Sequence, residues 1–154
     1  MRSINKIKLT LIREKIAAYD ESMPMVITNK VDAYAYFKDL GADPQETVRA
    51  IYLDAKNKVI GIYDAARGTT TTTITSPADI IRPALLCGAP RIIIGHNHPS
   101  GHTKPSKEDI HLTKMVLDAC NIMELELLDH IIIGEDDFLS MKSEGFFNKI
   151  NPSL

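Results

Sequence analysis

The sequence predicts a mixed α/β fold, one sheet of strands flanked by helices in a single domain. Three observations carry this expectation. Uncharged β-branched runs, Ile92–Ile94 and Ile131–Ile133, have the composition of strands buried on both faces. Such runs alternate along the chain with text of helical period. The helical stretches open on capping patterns: Asn29-x-x-Asp32, Ser76-Pro77-Ala78-Asp79 and Ser106-Lys107-Glu108-Asp109. Helices are therefore expected near residues 30–40, 77–87 and 107–120.

A chain of 154 residues, 44% hydrophobic and 25% charged, has enough apolar text for one sizeable core. A net charge of -2 and a pI near 6.2 give no electrostatic reason to expect tight, non-specific binding of nucleic acid. Cys87 and Cys120 sit beside alanine, leucine or valine and lack Cys-x-x-Cys spacing. They read as buried thiols of a reducing compartment, not as a bridge or a metal site. The N-terminal text MRSINKIKLTLIREK is charged throughout and has no signal-peptide h-region. No apolar run approaches the length of a bilayer span, so the expectation is a cytoplasmic protein without membrane contact.

Taken in order, residues 6–12 alternate Lys6, Lys8 and Thr10 with Ile7, Leu9 and Leu11. This predicts a half-buried edge strand with lysines outward. A nucleic-acid-binding patch is the alternative, disfavoured by Glu14, Asp20 and Glu21 close behind. The first capped helix carries Val31, Tyr34, Phe37 and Leu40 and stops at Gly41. Glu46 to Asp54 reads as a strand, turned by Ala55-Lys56-Asn57-Lys58 into a second over Val59 to Tyr63. Thr69 to Thr73 suit a strand exposed on at least one face, with a low-complexity linker as the alternative.

The helix from Pro77 carries Ile80, Ile81, Ala84, Leu85 and Leu86 and ends at Gly88, while Pro83 predicts a kink or a two-piece helix. The helix after Ser106 has a core stripe of Leu112, Met115, Val116 and Ala119. Glu124 to Ile133 is a buried strand, with Asp137 to Met141 as its hairpin partner. The divisions expected are a strand and helix over 1–45, a core over 46–142, and a polar tail over 143–154 in which Phe146 and Phe147 form a packing plug.

The chemistry concentrates in Arg91 to Asp109, RIIIGHNHPSGHTKPSKED. Gly95 ends the apolar run and His96-Asn97-His98 follows at once. Side chains two apart on an extended backbone share a side, so both imidazoles can address one point. Pro99-Ser100-Gly101 turns the chain, and the next helix begins at Ser106 with Asp109 in its first turn. That loop length can return the Asp109 carboxylate to the histidine pair. Two nitrogens and one oxygen, with room for a water, make the ligand set of a catalytic zinc. A lone histidine is more often packing or surface, and Ser-x-x-Asp more often a cap. Their conjunction at this spacing favours the metal.

Three further histidines have blander readings. His102 lies in the loop, where it can approach a metal or a substrate; His111 falls on a different helix face from Asp109 and reads as surface. His130, behind Asp129 in an apolar strand, reads as a buried histidine satisfied by a hydrogen bond.

His96-x-His98, seven residues, then Ser106-x-x-Asp109 matches the JAMM metalloprotease motif of the JAB/MPN proteins at every position. The strings HNHPSG, PSKED and LLDHIIIG resemble the RadC-type JAB-domain proteins of bacteria, over roughly Lys8 to the C-terminus. The resemblance implies a JAB/MPN fold, with a cytidine-deaminase-like three-layer arrangement of a mixed sheet between helices. It implies Zn²⁺ at His96, His98 and Asp109, and a catalytic glutamate upstream. The family pattern of a Glu, a β-run and Leu-Asp places that glutamate at Glu46; the bland reading is a solvated glutamate at a strand end. To serve as the base, its strand must neighbour the Ile92 strand, either antiparallel or as an offset parallel strand. Ser106 would donate to the oxyanion, which a hydroxyl can do while accepting a cap bond.

The substrate class implied is an amide or isopeptide bond of a protein or peptide, with DNA repair as the setting. A helix-hairpin-helix module is not expected, since only about forty residues precede Glu46 and they read as strand and helix. A zinc nucleoside deaminase needs His-x-Glu and Pro-Cys-x-x-Cys, and neither occurs. An HNH nuclease disperses its three residues, so the string at 96–98 is a coincidence. The alternative from another class is an accessory protein of DNA repair or mobile elements, binding a partner through a domain whose metal site is idle.

Overall fold

The β-branched runs form five strands among the described residues: β1 (Thr47–Leu53), β2 (Val59–Arg67), β3 (Arg91–Asn97), β4 (Glu126–Ile133) and β5 (Phe138–Ser140). This computed structural model describes residues 4–14, 22–68 and 75–152. The strands lie in the order β2-β1-β3-β4-β5. Only β3 and β4 run parallel, so the sheet is mixed. A parallel pair needs a crossover, and α3 (Lys107–Ile122) supplies it. The other helices are α1 (Lys30–Tyr34), α2 (Pro77–Cys87) and α4 (Phe146–Ile150), with a 3₁₀ turn over Lys38–Ala42.

The period of two along the strands divides the core in half. Ala50, Tyr52, Ile92, Ile94, Leu127 and Ile132 meet Ile80, Ile81 and Ala84 of α2, Val116, Leu117 and Cys120 of α3, and Phe147 of α4. On the opposite face Ile51, Leu53, Ile93, Ile131 and Ile133 meet Ile27, Ala33, Tyr36, Phe37 and Leu40. Three layers result, as expected for the JAB/MPN fold. The buried Arg49 ties the second face to its cover by an ion pair with Asp39 at 2.7 Å, and β1 to β2 by one with Asp64 at 2.6 Å.

Several expectations are corrected. Residues 4–14 form no strand, and all of them are exposed. Alternation says which side chains share a face, but not whether a sheet edge is there to receive them; the two edges here are β2 and β5. The helix expected over 30–40 breaks after α1 and resumes as the 3₁₀ turn. The break lets Phe37 lie flat under β3, where a Cβ on Gly95 would sit 2.7–2.9 Å from its ring. Pro83 does not divide α2, and the helix runs unbroken for 11 residues. The strand expected over Thr69 to Thr73 lies outside the described residues. The packing plug is as expected: the tail contains α4, whose Phe147 is buried in the core with Phe146 packed against it.

Candidate metal centre

The site forms where β3 leaves the sheet and α3 begins. His96 is the sixth residue of β3 and keeps the strand's alternation, so it faces α3 with Ile92 and Ile94. His98 follows the strand on the same side. A capping box fixes the start of α3: the Asp109 amide donates to Ser106 Oγ at 3.0 Å, and the Ser106 amide donates to Asp109 Oδ2 at 2.7 Å. The cap therefore aims the Asp109 carboxylate back along the helix axis toward the histidines. His96 Nε2 lies 2.9 Å from His98 Nε2 and 3.0 Å from Asp109 Oδ1, while His98 Nε2 lies 3.2 Å from Asp109 Oδ2.

The outer nitrogens set the tautomers. His98 Nδ1 donates to the carbonyl oxygen of His102 at 2.7 Å, which leaves its Nε2 lone pair facing the centre. His96 Nδ1 lies 2.8 Å from His130 Nε2, and His130 Nδ1 lies 2.7 Å from Thr113 Oγ1. The Thr113 hydroxyl in turn donates to the carbonyl oxygen of Asp109 at 2.6 Å. Because that last acceptor can only accept, the row reads in one direction: His96 Nδ1–H to His130, His130 Nδ1–H to Thr113, Thr113 O–H to Asp109. His96 Nε2 then also presents a lone pair inward.

With a proton in place of an ion, the inner nitrogens donate to the Asp109 carboxylate. Burial holds His130 well below the usual imidazole range, so it is a neutral acceptor. Burial alone would raise the Asp109 carboxyl, but hydrogen bonds from His96 and His98 outweigh it and hold the group far below the carboxylate range. The hydrogen bond to Asp109 raises His98. Two imidazole nitrogens and a carboxylate, once deprotonated at their inner atoms, are the donor set of a divalent metal. Zinc with bonds of about 2.0–2.1 Å holds tetrahedral ligand atoms roughly 3.3 Å apart, close to the separations present. The residues fit the ion.

Glu46 arrives from another strand. β1 runs antiparallel to β3 with Val48 opposite His96, so Glu46, two residues earlier, lies where His98 leaves the sheet. It is half-buried and lines a cleft of about 510 Å³ together with His96 and Asp109. Its charge contributes to raising His98. Antiparallel pairing is thus the arrangement adopted. Ser106 is the cap residue; among the described residues its hydroxyl bonds only as an acceptor, from the Asp109 amide. The side chain of His102 is exposed and only its carbonyl serves the site. His111 is exposed, as expected, and that surface is the rim of the cleft. Val48, Leu112 and Met115 make the cleft apolar, and Thr75 beside them has a buried hydroxyl with no hydrogen-bond partner among the described residues.

Sequence reasoning missed Thr113 and the role of His130. The signal for His130 was present, a histidine in an apolar strand that must find a partner, but nothing in the sequence names His96 as that partner.

A family model for the RadC-like JAB domain matches residues 27–146. The chain is 46% identical to a UPF0758 protein of Clostridium botulinum over 102 residues, 66% of this chain and 44% of that protein. It is 45% identical to a UPF0758 protein of Carboxydothermus hydrogenoformans over 120 residues, 77% of this chain and 53% of that one. A UPF0758 protein of Aquifex aeolicus is 37% identical over 119 residues, 77% of this chain and 52% of the relative. The chain spans about half the length of the curated relatives it matches. Their names state no activity. With the motif, the fold and these matches together, the chain belongs to the RadC-like JAB domain family.

Proposed function

We propose that this chain is a zinc-dependent hydrolase of amide or isopeptide bonds in a peptide or protein. The observation that carries this reading is the convergence of His96 Nε2, His98 Nε2 and the Asp109 carboxylate, within 3.2 Å of their neighbours, with His96 and Asp109 lining an open cleft. His96, His98 and Asp109 would hold the ion. When bound, zinc supplies a Lewis acid that brings the pKa of a water down to about 7. Glu46, at the mouth of the same cleft, accepts the proton of the attacking water and returns it to the leaving amine. Ser106 donates a hydrogen bond to the carbonyl oxygen as charge develops there, while still accepting the cap bond. The apolar wall of Val48, Leu112 and Met115 suits an apolar side chain of the substrate.

Zinc content and cleavage of a peptide library, with and without a chelator, test this reading. The wild type should carry one zinc per chain and His98→Ala none. Glu46→Gln should keep the zinc and lose on the order of 10²–10⁴-fold in rate, the loss of a general base. Stoichiometric zinc in His98→Ala would refute the ligand set. Zinc without cleavage in the wild type would favour a binding module over an enzyme.

A further inference from the structure

We propose that Asn97, the residue between the two histidines, is the positioning residue for Glu46. The inference rests on the hydrolase reading, since it assigns Asn97 a task only through the base. Asn97 alternates away from the histidines and is 1% exposed. The ladder between β1 and β3 closes at Val48 opposite His96, one step short of Thr47. At that point the side chain of Asn97 takes over from the backbone. Its Oδ1 accepts the Thr47 N–H at 2.8 Å, and its Nδ2 donates to the carbonyls of Asp43 and Gln45, each at 3.0 Å.

One planar amide thus grips the backbone on both sides of Glu46, at the Gln45 carbonyl and the Thr47 N–H. The Glu46 carbonyl itself accepts from the Gly68 N–H at 2.8 Å. A buried amide must be satisfied by something, and that alone would be packing. Here every bond the amide makes ends in the segment 43–47, which carries the base and nothing else of the site. Aspartate at this position would lack both donors and set a carboxylate against two carbonyls. Serine has one donor and is too short to span them. The strand that supplies the histidines therefore also sets the distance from those ligands to the base.

Displacing a catalytic group by about 1 Å can cost on the order of 10²-fold in rate. Asn97→Ala should accordingly lose on the order of 10- to 10²-fold in kcat with KM little changed and zinc still at one per chain. Its Thr47 amide should lose protection from hydrogen exchange. A structural role alone would not produce the next result: in a Glu46→Gln background, Asn97→Ala should add almost nothing, because the two act as one unit.

If Asn97→Ala does not fold, Asp43→Ala loosens the same segment from its more exposed end, where the Asp43 carboxylate accepts from the Gln45 N–H at 3.0 Å and from Arg67 at 2.7 Å. It should show the same signature at smaller size. Undiminished kcat, or losses that multiply fully in the double variant, would overturn the proposal. If the wild type cleaves nothing, the hydrolase reading fails by itself. The clamp is then decided by amide exchange alone, and unchanged protection at Thr47 in Asn97→Ala overturns it.

Discussion

His96 and His98 are the same residue type two positions apart, yet the molecule holds them by different means. The side chain of His96 is 2% exposed and that of His98 16%. Behind His96 stands a row of groups from two regular elements: His130 of β4, then Thr113 and the Asp109 carbonyl of α3. His98 lies past the end of β3 and is oriented by one loop carbonyl, that of His102. The inner ligand is built into the core and the outer one is set by a turn. Damage to the inner half should therefore cost stability and metal affinity together, whereas damage to the outer half should cost little of either unless the ligand itself is removed.

The largest effect is expected from His130→Ala. It leaves His96 Nδ1 without an acceptor, Thr113 without its donor, and a cavity in a fully buried place. The fold should lose about 3 kcal/mol in denaturant unfolding of the metal-free protein. Zinc affinity, measured by competition with a chelating dye, should fall on the order of 10- to 100-fold, as for other groups that orient a ligand. A loss of stability with affinity intact would break the comparison, since His96 would then be oriented without its row. Thr113→Val should cost less, about 1–3 kcal/mol, because it removes one link while keeping the shape. Thr113→Ser should restore both stability and affinity by returning the hydroxyl.

The smallest effect belongs to the outer half. His102→Ala keeps the carbonyl that orients His98, and the side chain it removes is exposed. Stability should stay within about 0.5 kcal/mol of the wild type and zinc content at one per chain. A loss of zinc in this variant would mean that the His102 imidazole, and not its backbone, serves the centre.

Much of the site was legible because it is local. His96, His98, Ser106 and Asp109 fall within 14 residues, and three short-range rules relate them: alternation along a strand, a turn at Pro99-Ser100-Gly101, and a capping box. The same rules sorted the apolar residues of the central strands onto two faces, so the layers could be expected from sequence. Where a local rule was asked for a neighbour, it failed. Alternation in residues 6–12 described a face with no edge to join, and helical period over 30–40 missed the break that seats Phe37 beneath Gly95.

By itself, then, the sequence determined which residues alternate, which cap, and which three side chains can reach one point. Only the tertiary structure decided which strand lies beside which. Thr47 meets Asn97 across fifty positions and His96 meets His130 across thirty-four. No period or spacing encodes such pairings, because they follow from the order of strands in the sheet and from the packing of α3 across it. The place of Glu46 beside the histidines, the tautomer of His96 and the grip of Asn97 all depend on that order. It is set by how the apolar faces bury one another rather than by any stretch of chain alone.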